Sequence, residues 1–138
     1  MTVDYGTLAN IASVIAAFGA AMLFFRIQRE LEMGSKDEIV WLPWADRLLV
    51  GATLVCLIGV IVPVTFNLRV TIAAAGAVAS AILVAGYILG IMAHYRIVFG
   101  RNRKGPRTNP EPAEQVVVWL TIFAALATGV WRFTLWPN

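Results

Sequence analysis

Residues 70–95 read VTIAAAGAVASAILVAGYILGIMAHY, 26 consecutive positions without Asp, Glu, Lys or Arg. An α-helix rises about 1.5 Å per residue and the hydrocarbon core of a bilayer is about 30 Å thick, so about 20 such residues cross it. A barrel strand would show short segments of alternating polarity instead. The stretch therefore reads as a membrane-spanning helix, longer than the crossing needs. The surplus is expected to tilt the helix or to carry His94 out to the interface as a polar anchor.

Three further blocks flank it. Residues 48–68 hold 21 positions without charge, residues 6–25 hold 20, and residues 115–131 hold 17, with apolar character resuming at 133–136. The second and third spans are joined by only a few residues around 67–69, which predicts a tight helical hairpin, with Pro63 loosening the turns before it. The expected fold is an all-α integral membrane protein, a single-domain antiparallel bundle of four transmembrane helices. Its spans are expected at about 6–25, 46–68, 70–96 and 115–136, and its cytoplasmic loops at about 26–45 and 97–114. Composition agrees: 59% of the residues are hydrophobic and 14% charged, against roughly 45–50% and 25% in soluble domains. A soluble core of 138 residues cannot hide that much apolar surface.

Tryptophan marks the expected span ends. Trp41 and Trp44 precede the second span, Trp119 lies near the start of the fourth, and Trp131 and Trp136 lie near its end. An indole suits headgroup depth because its ring is apolar and its N–H is wet. Arg132 shares that depth, where it is expected to reach the headgroups or to meet Asn10 or Asn67.

The net charge is +3 with a pI near 9.5. Nine basic residues fall on one side of the spans: Arg26, Arg29, Lys36, Arg47, Arg96, Arg101, Arg103, Lys104 and Arg107. The other side has two, Arg69 and Arg132. Positive charge collects in cytoplasmic loops, so loops one and three are expected inside and both termini outside. Short loops without an Asn-x-Ser/Thr acceptor lean toward a membrane of bacterial inner-membrane type. With no basic helix and no aromatic RNA-binding motif, the charge gives no reason to expect a nucleic-acid partner.

Loop one should begin as a continuation of the first helix, end it at Gly34, and start a short helix with the Ser35–Glu38 capping box. Pro43 then suits the first turn of the second span. Loop three carries Pro, Gly and basic residues without periodicity, so it should be irregular. Glu30, Glu32, Asp37 and Glu38 of loop one complement Arg101, Arg103, Lys104 and Arg107 of loop three. Loop three is also an expected contact for anionic lipid headgroups.

Each span carries a row of small or weakly polar side chains at helical spacing. The first has Asn10, Ser13, Ala17 and Ala20; the second has Thr53, Cys56, Val60, Pro63 and Asn67. The third has Gly76, Ser80, Leu83, Tyr87, Gly90 and His94, and the fourth has Thr121, Ala125, Thr128 and Arg132. Gly86 and Gly90 add the small-xxx-small spacing of close helix pairs. Such rows either pack helices together or line a polar passage. His94 is the one histidine, and no Cys, Asp or Glu stands at ligand spacing beside it, so neither metal nor cofactor is expected. Cys56 is the one cysteine, which removes an intrachain disulfide and dithiol chemistry. The first block has no basic stretch before it and is expected to be retained as a span.

No Asp, Glu, Lys or Arg stands in the middle of any span, where ion-coupled transport usually keeps one. No nucleophile–base pair or phosphate-binding glycine loop appears. The sequence therefore points to a non-enzymatic, homo-oligomeric membrane protein of channel-like or membrane-perturbing character. The alternative is an accessory or anchoring subunit with a membrane-protein partner, and a small-solute transporter without ion coupling stands third.

Overall fold

The computed structural model describes residues 4–34, 43–97 and 111–135. These form α1 (Tyr5–Gly34), α2 (Asp46–Cys56), a π-helical turn (Leu57–Ile61), α3 (Val62–Thr65), α4 (Val70–His94) and α5 (Pro112–Leu135), with no strand among the described residues. The π turn and α3 continue α2, so four helices are long and apolar enough to cross a membrane: Tyr5–Arg29, Asp46–Thr65, Val70–His94 and Pro112–Arg132.

Local chemistry sets each end. The Asp4 carboxylate accepts the Thr7 N–H at 2.6 Å and its carbonyl accepts the Leu8 N–H, which starts α1. The same Thr7 bonds hold the Asp4 carboxyl below its ordinary value. Ahead of α2, the N–H groups of Asp46, Arg47 and Leu48 donate to the carbonyls of Pro43, Trp44 and Ala45. Pro43 therefore opens a tight lead-in turn, and the α-helix proper starts three residues later than a first-turn proline would place it.

Downstream, Pro63 has no N–H to give the carbonyl of Gly59 four residues before it. The helix widens into the π turn just there, and the Val62 N–H reaches back five residues to the Leu57 carbonyl. Asn67 (φ 51°) and Arg96 (φ 56°) both adopt the left-handed conformation. Each ends its helix in the same way. Leu68 and Asn67 donate to the carbonyls of Pro63 and Val64, and Ile97 and Arg96 donate to those of Met92 and Ala93.

α4 packs against α1, α2 and α5. Of its apolar window 39% is buried, against 17% for α1 and for α5, so α4 is the axis of the assembly. Polar contacts tie the helices at both ends. Arg26 of α1 meets Asp46 at the start of α2, and His94 at the end of α4 meets Glu114 at the start of α5. At the opposite end, Tyr5 at the start of α1 meets the Leu68 carbonyl in the turn before α4. One apolar cluster gathers Leu48, Leu49, Leu83, Tyr87 and Val118. A second gathers Leu8, Ala12, Cys56, Val60 and Ala73 toward the Asp4 end. Outward faces stay apolar, with Phe24, Ile58, Phe66, Phe123 and Trp131 mostly exposed.

Trp41, Trp136, Asp37, Glu38, Lys36, the Ser35 capping box and the basic set Arg101, Arg103, Lys104 and Arg107 lie outside the described residues, as does the side chain of Glu30. The complementarity expected between the two loops therefore falls outside them as well.

Candidate functional site

The densest chemistry in the described structure lies at the end where α1 and α4 finish and α2 and α5 begin. Glu114, in the first turn of α5, is fully buried. Its Oε2 lies 2.9 Å from His94 Nδ1 on α4, and its Oε1 accepts the N–H of Ala45, the capping residue of α2, at 2.9 Å. One carboxylate thus joins three helices. The Ala45 N–H is one of the donors that a helix start leaves without a partner in its own helix.

A turn away, Arg96 Nη2 lies 2.8 Å from Glu111 Oε1, with Glu111 2% exposed. Across the cluster, Arg26 Nε donates to Asp46 Oδ2 at 3.3 Å, and Arg26 Nη1 reaches the Tyr95 hydroxyl at 3.4 Å. The Tyr95 ring stands edge-on to His94 at 5.0 Å and 89°. Acids and bases are placed with the helix dipoles. Glu111, Glu114 and Asp46 sit at helix starts, where partial positive charge collects, and His94 sits in the last turn of α4.

The sequence reading of His94 as an interfacial anchor needs correction. His94 is 6% exposed and has a carboxylate beside it. Its partner lies 20 residues away in sequence, out of reach of any spacing rule within one helix. Glu111 and Glu114 fall within 97–114, the stretch expected as loop, yet α5 starts at Pro112. The signal was present as Glu111-Pro112-Ala113-Glu114: proline at a first helical position with acid around it marks a helix start.

A carboxylate that orients an imidazole is one component of many catalytic sites. Here the neighbouring hydroxyl, that of Tyr95, is engaged by Arg26. No cluster of three His, Cys, Asp or Glu able to hold a metal occurs among the described residues. The arrangement ties four helices into one framework: breaking a buried pair of this kind costs about 3–5 kcal/mol.

The weakly polar rows take two different positions. Thr53 lies against Gly19, Thr121 against Gly86, Ala45 against Gly90, and Gly59 against Gly76. Cys56, Ser80, Tyr87 and Thr121 are buried, and the hydroxyls of Thr53, Ser80, Thr121 and Thr128 donate to carbonyls of their own helices. The rows of α2, α4 and α5 are thus largely spent on packing within the chain. That of α1 is not: Asn10, Ser13, Ala17 and Ala20 are all exposed. Glu32 is exposed beyond the apolar part of α1. Trp44 is half-buried with the Arg47 guanidinium 4.2 Å from its ring centre, whereas Trp119 and Trp131 are exposed. Arg132 is half-buried near the far end of α5.

Compared with known protein families, curated proteins and solved structures, the chain matches none.

Proposed function

We propose that this chain is a non-enzymatic integral membrane protein, an antiparallel bundle crossing the bilayer four times, that works as a homo-oligomer of channel-like character built on α1. The observation that carries this reading is the outward row Asn10, Ser13, Ala17 and Ala20 on a helix otherwise faced with Val14, Phe18, Phe24 and Phe25. An amide and a hydroxyl facing hydrocarbon are unfavourable unless another polar group or water meets them. Small neighbours at helical spacing let a second helix come close enough to do so. Several copies meeting on this face would bring the amides and hydroxyls toward a common axis, the arrangement through which water or small ions pass.

Membrane insertion is supported by four apolar helices whose outward faces carry large apolar side chains. The nine-to-two division of basic residues supports cytoplasmic loops one and three with both termini outside, and the short loops without an Asn-x-Ser/Thr acceptor favour a bacterial inner membrane.

The test is paired. Size measurement in nanodiscs is expected to show more than one copy, and Asn10→Leu with Ser13→Leu is expected to shift the population toward one. Liposomes carrying the wild-type chain are expected to leak small ions, and those carrying the double variant are expected to hold them. A monomer in nanodiscs with sealed liposomes would remove the proposal. A stoichiometric second protein retained through α1 would replace it with the accessory-subunit reading.

A further inference from the structure

A groove of about 760 Å³ opens on the side of the molecule where α1 and α5 stand apart over α4. Its floor is the α4 face Ala74, Val78, Ala81 and Ala85, whose small side chains recess it. Leu8 and Ile11 of α1 form one wall, and Trp131 of α5 stands on the other. From Ala74 to Ala85 the floor runs about 16 Å, close to half of the ~30 Å hydrocarbon core. At one end of this apolar slot is the guanidinium-bearing Arg132.

We infer that the groove is a binding site for one anionic phospholipid of the outer leaflet, its acyl chain along the alanine floor and its phosphate at Arg132. The inference rests on the membrane reading above but not on the oligomer. A phospholipid is apolar over the length of one leaflet and anionic at one end, and the groove is complementary in both respects. A guanidinium carries five N–H donors in a fork that suits phosphate oxygens, so contact with the chain itself leaves donors for a headgroup. Trp131 beside it places an indole at the same depth. The polar row of α1 lies elsewhere: of that helix, Leu8 and Ile11 line the groove, and Asn10 and Ser13 do not. The two outward features are therefore separate, one suited to another helix and one to a lipid.

Native mass spectrometry in mild detergent tests this with phosphatidylglycerol and phosphatidylcholine as probes. The wild-type chain is expected to retain one phosphatidylglycerol, favoured about tenfold over phosphatidylcholine, because both carry the phosphate but the choline cation of the second cancels its charge and repels the Arg132 guanidinium. Arg132→Gln is expected to keep a lipid and lose the preference. Ala81→Phe fills the floor from an exposed position and is expected to retain neither lipid, with unchanged thermal stability. Absence of bound lipid on the wild type, or equal retention of the two lipids, would overturn the site. So would an Ala81→Phe variant that keeps its lipid but changes its oligomer size, which would seat a helix of a second copy in the groove. Carbonate extraction of the same membranes separates the premises. Release of the chain would defeat the membrane reading itself, whereas a retained chain with an empty groove defeats only the lipid site.

Discussion

Glu114 Oε2 lies 2.9 Å from His94 Nδ1 while the other oxygen of the same carboxylate accepts the Ala45 N–H at 2.9 Å. The two ends of this relationship belong to α5 and α4, and the third contact belongs to α2. Removing the carboxylate therefore does more than break one pair: it strands a buried backbone donor and a buried imidazole together. Glu114→Ala is expected to lower stability by about 3–5 kcal/mol, the scale for opening a buried pair. Glu114→Gln keeps an acceptor for Ala45 and is expected to lose about half as much. Thermal unfolding in detergent, followed by circular dichroism, ranks the two. Equal losses would show that the Ala45 bond contributes nothing.

Arg96 joins backbone and side-chain roles that can be separated. Its φ of 56° is unfavourable for any residue with a Cβ, by roughly 1–2 kcal/mol, and glycine is free of that penalty. Its Nη2 also holds Glu111 at 2.8 Å. Arg96→Ala keeps the strain and loses the pair, whereas Arg96→Gly loses the pair but relieves the strain. The expected order of stability is wild type, then glycine, then alanine. The last two would stand the other way round if Arg96 were in ordinary right-handed helix, so their melting temperatures test the conformation directly.

At the far end, the Asp4 carboxylate is held low by the Thr7 bonds that start α1. A carboxylate with a depressed folded value supports the structure fully above its unfolded value, ordinarily 3.8, and ceases to as pH falls through the folded one. Hydrogen exchange at the Thr7 and Leu8 amides is therefore expected to lose protection, relative to intrinsic rates, only in that acidic window. Asp4→Ala should abolish the pH dependence, with less protection at neutral pH. Unchanged protection ratios through the window would rule out the cap.

How much of this was legible beforehand follows from where each interaction sits in the chain. The four apolar stretches are local, and composition alone exposes them. The turn at Asn67 is local too, because asparagine tolerates the left-handed conformation better than most residues. The polar cluster is not local. His94 meets Glu114, Arg26 meets Asp46, and Ala45 meets Glu114 across 20, 20 and 69 positions. Reading charges as topology signals places Arg26 at the start of loop one and Arg96 at the flank of loop three, and names no partner for either. The π turn has a local cause in Pro63, which withholds its N–H from Gly59, but the close approach of Gly76 to Gly59 from another helix is not local. The outward turn of the α1 row, on which the functional proposal stands, becomes visible only once the rows of the other helices are seen to face each other.

That last distinction gives the sharpest test of packing. A methyl group built on Gly86 would overlap the side chain of Thr121, and one built on Gly76 would come within 2.5 Å of the Gly59 carbonyl oxygen. On Gly129 it would meet nothing within 4 Å. Gly86→Ala is therefore expected to destabilise by about 1–3 kcal/mol, the usual scale of overpacking. Gly129→Ala is expected to be neutral or to stabilise by up to about 1 kcal/mol through helix propensity. Moving the bulk across the interface, with Gly86→Ala and Thr121→Gly together, is expected to recover part of the first loss, because the overlap goes while a glycine enters α5. Melting temperatures of the four proteins decide it. Recovery with unchanged oligomer size would confirm that positions 86 and 121 meet in the α4–α5 packing, whereas a Gly86→Ala variant that melts normally but changes its oligomer size would move that glycine to the surface between copies.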